Sequence, residues 1–310
     1  MKKLILALVA VGVVSFLPFF MGDLETRNLD DGARASLKRP FALLSDGLTH
    51  YELAGPENGE VVVLVHGNAA PYFSWEHNVK ALTGAGYRVL TYDLYGFGYS
   101  DRPDKTYNRA LYDRQLMELL EALEIPTPVN LIGTSQGGSI AVHFAAHHPG
   151  KVKRLGLLAP FINILPMKAV LGLLKLPMVG EYLTALAMDR INLNYPKKVF
   201  GDPDKIPESF LKQYREQLSY RGFKRARLSN IRSDALADFT EDYRKAGQLK
   251  IPLLLTWGTS DRVIKADSIA NIRKAIPGIR YKEIPGGGHV AHYEKPGLMN
   301  PILLEFLKSR

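Results

Sequence analysis

Val129-Asn130-Leu131-Ile132-Gly133-Thr134-Ser135-Gln136-Gly137-Gly138-Ser139-Ile140-Ala141 is the stretch on which the fold turns. Its first four residues read as a buried strand, and the Ala-rich run 140–146 reads as a helix. Between them lies a G-x-S-x-G pattern, which places a serine on a sharp strand-to-helix turn. Such a turn strains the backbone of its central residue, so the neighbours must be small. Gly133 and Gly137 supply that room, while Gly138 and Ser139 ease close packing of the helix. The helix start also directs unpaired N–H groups and a positive dipole end toward developing negative charge. Ser135 is therefore the candidate nucleophile, and the N–H of Gln136 a candidate oxyanion donor. A Gly/Ser turn opening an ordinary helix is the plain alternative, and the strand leading in weighs against it.

Working outward, strands are expected at 47–54, 61–65, 87–92, 155–158, 252–257 and 281–284. Helices are expected at 75–85, 109–123, 268–275 and 296–307, besides the one that follows Ser135. This alternation predicts an α/β fold, a mostly parallel sheet with helices on both faces. Val61-Val62-Val63-Leu64-Val65, β-branched and uninterrupted, suits a strand buried on both sides. Residues 161–250 break the rhythm: they show helical patterns separated by Pro and Gly, and read as a helical cap over the carboxyl ends of the strands. The segment 162–179 is strongly apolar, with Lys168 and Lys175 its only charges. It suits lipid contact, the lining of a greasy pocket, or ordinary cap packing. Residues 23–40 read as a polar linker, and 41–310 as the globular domain.

A serine hydroxyl needs a positioned base. Of eight histidines, His289 is preferred, because Pro285-Gly286-Gly287-Gly288 lets its imidazole project from a loop straight after a predicted strand. His292 is the runner-up. His143, His147 and His148 fall on or at the end of a predicted helix and are assigned structural roles, as is His66; no motif surrounds His50 or His77. The base in turn needs a carboxylate to fix its tautomer. Asp261, in Trp257-Gly258-Thr259-Ser260-Asp261, follows a predicted strand and falls between the serine and the histidine in chain order. The second oxyanion donor is expected from the loop after 61–65, at the N–H of Asn68.

The chain carries 40 basic and 31 acidic residues, a formal net charge of +9. The basic residues are scattered, without a long Lys/Arg run, so nucleic acid is not an expected partner. With no cysteine, disulfides, thiolate metal sites and a cysteine nucleophile are excluded. Lys2 and Lys3 precede an apolar run over 4–21, broken only by Gly12, Ser15 and Pro18. That length can cross a bilayer core, and the run lacks a small-residue cleavage site at its end. Residues 1–22 are read as a membrane anchor, with a cleaved signal peptide as the alternative. The lysines before the span place the domain on the non-cytoplasmic side, or outside the cell after cleavage.

In combination these motifs resemble the α/β-hydrolase superfamily over residues 45–310. The resemblance rests on His66-Gly67 after a strand, on Asp93-Leu94-Tyr95-Gly96-Phe97-Gly98-Tyr99-Ser100-Asp101, on the serine turn, on Gly258 to Asp261, and on Gly288-His289 with Glu294 and Pro296 behind. The apolar N-terminus makes the chain similar to membrane-anchored monoacylglycerol lipases and esterases, and meta-cleavage C–C hydrolases are similar too. His66-Gly67-Asn68 resembles haloalkane dehalogenases, but Ser135 and Gln136 stand where those enzymes carry aspartate and tryptophan, and epoxide hydrolases also attack with aspartate. The resemblance implies a serine hydrolase acting on carboxylic esters, lipid-like or of the monoacylglycerol type, by way of an acyl-enzyme. C–C hydrolysis is the alternative chemistry, and a non-catalytic binding protein of the same fold the alternative class. Neither metal nor organic cofactor is implied.

Overall fold

Every residue of the strand Val61–Val65 (β3) is buried, as an uninterrupted β-branched run requires when helices cover both sides of a sheet. The computed structural model describes residues 23–68, 70–163 and 168–309, without the side chains of 168–171. Residues 1–22, on which the anchor expectation rests, lie outside the described residues. Among the described residues no helix is long and apolar enough to cross a membrane.

Around β3 stand Phe41–Leu44 (β1), Gly47–Ala54 (β2), Arg88–Tyr92 (β4), Val129–Thr134 (β5), Val152–Leu158 (β6), Leu253–Gly258 (β7) and Arg280–Ile284 (β8). They form one sheet of eight strands in the order β1-β2-β4-β3-β5-β6-β7-β8. The β1–β2 and β2–β4 pairs are antiparallel, and the other five are parallel. The chain winds from β3 outward to β4, then returns to place β5 on the other side of β3. Connections therefore diverge between β3 and β5, and the crevice left at their carboxyl ends is where open α/β sheets bind ligands. Register fixes the height of the loops: Val65 lies opposite Gly133, and Gly258 opposite Ile284.

Helices Glu76–Gly84 (α2), Arg109–Ala122 (α3), Gln136–His147 (α4), Ala266–Ala275 (α10) and Pro296–Leu307 (α12) sandwich the sheet. One core joins Val63, Val65, Leu131 and Leu155 to α3 and α4; the other joins Val62, Leu64 and Ile132 to Trp75, Leu82, Leu303 and Phe306. Between β6 and β7 there is no strand among the described residues. Among the described residues five α-helices stand there instead: Lys168–Lys175 (α5), Val179–Val199 (α6), Glu208–Leu218 (α7), Phe223–Arg232 (α8) and Thr240–Gly247 (α9). A last short helix, Ala291–Glu294 (α11), follows β8.

The segment expected to be a linker is more ordered than its composition suggests. Asp31–Leu37 forms a helix (α1), whose N-cap Asp30 accepts a hydrogen bond from Ala33 N at 2.9 Å. None of its residues is buried, so it carries no apolar stripe for a sequence pattern to detect. Upstream, Arg27 N donates to Ser219 O at 2.8 Å and Glu25 accepts from Gly222 N at 2.8 Å, fastening this stretch to the cap.

Candidate active site

Ser135 sits at φ 53°, ψ −122°, a conformation that an L-residue adopts only when its surroundings enforce it. The enforcement comes from both sides. Its N–H is tied to Leu158 O at 2.9 Å, on the neighbouring strand. A Cβ on Gly137 would lie 2.3 Å from the carbonyl oxygens of Val65 and His66, and one on Gly133 would lie 2.2 Å from Gly137 O. The two glycines let α4 start directly against β3 and β5.

The structure brings the three side chains expected at the site into one hydrogen-bonded series. His289 Nε2 lies 2.8 Å from Ser135 Oγ, and His289 Nδ1 lies 2.9 Å from Asp261 Oδ2. An ionised carboxylate can only accept, so Nδ1 carries the ring proton and Nε2 accepts from the serine hydroxyl. Asp261 Oδ1 is held by the N–H groups of Val263 (2.7 Å) and Ile264 (2.9 Å), which fixes the carboxylate's orientation. Asp261 and His289 are both buried, whereas the serine faces a cavity.

The runner-up histidine lines the same cavity but takes no hydrogen bond in this series. His292 is buried against Trp75 with ring centroids 4.3 Å apart, and neither of its nitrogens has a hydrogen-bond partner among the described residues. Burial, with His289 and His77 nearby, pushes its pKa down to about 3, so it stays neutral. His66 holds its loop: Nδ1 donates to Gly67 O at 2.6 Å and Nε2 accepts from Leu94 N at 2.8 Å. His50, which no motif marked, pairs with buried Asp93 at 2.7 Å. Burial alone would raise Asp93, but His50, His66 and the N–H of Tyr72 overcome it and hold the carboxyl below its ordinary value. Asp93 thereby fastens β2, β4 and the loop before α2, a structural task. Asp101 likewise accepts from Leu48 N at 2.7 Å.

Gln136 opens α4, so its N–H lacks an intrahelical partner and points to the same end of the sheet as Ser135. Gly67 and Asn68 line the cavity beside it. A polar chain that single-sequence reading missed connects these groups. Asn68 Nδ2 donates to Gln136 Oε1 at 2.7 Å, and Gln136 Nε2 donates to Asn230 Oδ1 at 2.9 Å. Asn230, on cap helix α8, also bonds the buried Tyr112 hydroxyl of α3. The side chain of Gln136 thus ties the Asn68 loop to the cap. No sequence signal marks Asn230, because its partners lie 94 and 118 residues away.

The cavity is small, about 20 Å³, and is lined by Asn68, Ser135, His289 and, from the cap, Tyr195, Phe210 and Tyr214. Cap and histidine loop are joined by His289 N donating to Val199 O at 2.7 Å. Glu294 accepts from both Gly201 N (3.0 Å) and Gly288 N (2.8 Å). Arg227 of α8 lies 5.7 Å from the ring centre of Tyr195. Its Nε and Nη1 are buried without a hydrogen-bond partner among the described residues.

A serine at a strained turn, in hydrogen-bonded series with a histidine and an aspartate at the carboxyl edge of such a sheet, defines the α/β-hydrolase class. The chain belongs to that family: the model of the alpha/beta hydrolase fold matches residues 60–296. Among its relatives, the 2-hydroxy-6-oxo-6-phenylhexa-2,4-dienoate hydrolase of Comamonas testosteroni is 30% identical, over 86% of this chain and 93% of the relative. The non-heme chloroperoxidase of Streptomyces lividans is 27% identical, over 86% of this chain and 98% of the relative. Among solved structures, the bromoperoxidase from Bacillus anthracis superposes with a TM-score of 0.75 at 27% identity, covering 88% of this chain and all of that one (100%).

Proposed function

We propose that this protein is a serine hydrolase that cleaves carboxylic esters of lipid-like acyl chains. The observation that carries the reading is the unbroken series from Asp261 through His289 to Ser135, at 2.9 and 2.8 Å. Ser135 Oγ attacks the ester carbonyl while His289 Nε2 takes its proton, and Asp261 stabilises the resulting imidazolium. The N–H groups of Gln136 and Asn68 receive the oxyanion, where one lost donor typically costs about 3–4 kcal/mol. His289 returns its proton to the leaving alcohol. It then deprotonates the water that attacks the acyl-serine and frees the acid. Val199 and Phe210 of the cap, which line the cavity, and the apolar run 4–21 read as a membrane anchor support a substrate drawn from a lipid surface.

The test is labelling by a fluorophosphonate, followed by hydrolysis of p-nitrophenyl esters of increasing acyl length. Wild type should label and Ser135→Ala should not, with rates rising toward longer chains. Equal labelling of both proteins would favour a non-catalytic binder, and a strong preference for acetate would remove the lipid-like substrate.

One observation favours a second reading, hydrolysis of a C–C bond in an acidic dienoate. Among the described residues, Arg227 Nε and Nη1 are buried without a hydrogen-bond partner, and its guanidinium lies 5.7 Å from the ring centre of Tyr195. A guanidinium so placed matches a substrate carboxylate. A relative named for a dienoate hydrolase supports the same idea. If the reading holds, a 2-hydroxy-6-oxo-dienoate is turned over faster than any neutral ester, and Arg227→Gln raises its KM.

A further inference from the structure

Outside the cavity, among the described residues, three metal-ligating side chains meet where α4 packs on α9. His143 and His147 are four residues apart in α4, so the helical repeat sets them on one face. Their rings lie 4.2 Å apart, tilted by 34°. Asp242, in the first turn of α9, comes up between them: His143 Nδ1 is 2.9 Å from Oδ2, and His147 Nε2 is 3.1 Å from Oδ1. One donor atom from each residue can be chosen so that all three lie within 4.8 Å of one another.

We propose that His143, His147 and Asp242 bind a divalent transition-metal ion of the zinc class, which fastens the last cap helix to the helix that begins at the nucleophile. Donors about 2.1 Å from one tetrahedral ion lie roughly 3.4 Å apart. Two of the spacings, 2.9 and 3.1 Å, lie just below that value and none exceeds 4.8 Å, so an ion between the three donors requires shifts on the order of 1 Å at the widest pair. Two imidazoles and one carboxylate are a donor set that zinc accepts, with a fourth position left for water. Position allows the water: the His147 side chain is 41% exposed, while that of Asp242 is only 7% exposed.

Among the described residues Arg109 pairs with the same carboxylate, its Nη1 3.3 Å from Asp242 Oδ2. Its shorter bonds go to backbone carbonyls, of Asp238 at 2.6 Å and Asp234 at 3.0 Å, and its guanidinium lies 3.7 Å from the ring centre of Phe239. Held there by neutral partners, it can remain as the outer hydrogen-bond donor that ligating carboxylates commonly keep. Asp242 stays ionised: burial opposes this, but His143, His147 and Arg109 together pull the carboxyl below its ordinary value. His143 lies eight residues beyond Ser135, about 12 Å along the helix axis. The ion is therefore a structural clamp on the cap, separate from ester cleavage.

The test uses tag-free full-length protein, with zinc chloride titrated calorimetrically and thermal unfolding followed with and without zinc. Wild type should bind one ion per chain and unfold at a higher temperature in its presence. His147→Gln and Asp242→Asn should each weaken binding about 100-fold or more, exceeding the 10–100-fold typical of outer-shell changes. His148→Gln serves as the control, because His148 pairs instead with Asp113 at 2.9 Å; its affinity should stay within about twofold of wild type. Ester hydrolysis by each variant without zinc reports that the chain has folded. Zinc binding that survives in the His143→Gln/His147→Gln double variant, or that His148→Gln abolishes, would overturn the assignment. So would a folded wild type that binds no zinc.

Discussion

The sheet and the cap dispose of their apolar residues differently. In β3 and β5 every residue is buried, and the strands close on α3 and α4 on one face and on α2 and α12 on the other. In the cap, Leu173 (52%), Leu176, Met178 (83%), Val179, Ile191 and Leu193 face outward. They are six of the eight large hydrophobics exposed among the described residues. The sheet satisfies its own hydrophobic demand and can hold a strained serine; the first cap helices leave theirs unmet. A rigid floor beneath an apolar, outward-facing roof suits the chemistry proposed, because positioning needs rigidity and a greasy substrate needs an apolar approach.

The largest expected effect tests the floor. Ser135→Ala and His289→Ala should each lower kcat by about 10⁴-fold or more, close to 5.5 kcal/mol of transition-state stabilisation. Asp261→Asn should fall in the same range, because the wrong tautomer would face the serine. Steady-state hydrolysis of a p-nitrophenyl ester measures all three, and a triad variant retaining a tenth of wild-type activity would break the proposed mechanism.

The joint between the regions comes next. Asn230→Ala removes the acceptor that holds Gln136 Nε2 at 2.9 Å, and with it the restraint on the Asn68 loop. One lost buried hydrogen bond is worth about 1–1.5 kcal/mol, so kcat should drop about tenfold while KM for a short ester stays level. A change in KM alone would assign Asn230 to substrate contact instead.

Acid sensitivity should belong to the floor. His292 is kept neutral in the folded protein, with its pKa about 3, while an unfolded histidine takes up a proton near 6.5. Between those values the unfolded state binds the extra proton, so stability is full above about pH 6.5 and falls as pH drops, by up to about 1.4 kcal/mol per pH unit. Buried His66, whose pKa burial also lowers, adds to the same slope. His292→Leu should flatten the thermal midpoint between pH 6.5 and 4.5, and an unchanged slope would place the acid-labile group elsewhere.

The smallest effect on stability tests the roof. Leu176→Ser with Met178→Ser alters exposed positions and should move stability by about 0.5 kcal/mol or less. Hydrolysis of long-chain esters presented on vesicles should nevertheless fall several-fold, with acetate ester hydrolysis unchanged. Equal losses on both substrates would mean that the outward face does not serve the lipid.

Much of the floor was legible from the chain. The strand reading of 61–65 coincides with β3, and the 296–307 helix with α12, because continuous apolar runs and Pro or Gly punctuation act locally. Strand β1 and helix α1 were not foreseen; they are four and seven residues long, too short for a period to emerge.

The sequence by itself determined the α/β layering and the candidate nucleophile, base and acid, because glycine-flanked turns and strand-to-loop boundaries are dictated by local sterics. Only the tertiary structure brought His289, and not His292, to Ser135, linked Gln136 to Asn230, and set Asp242 between two histidines. Those outcomes depend on distances of about 3 Å between residues many positions apart, and no local pattern encodes such a distance.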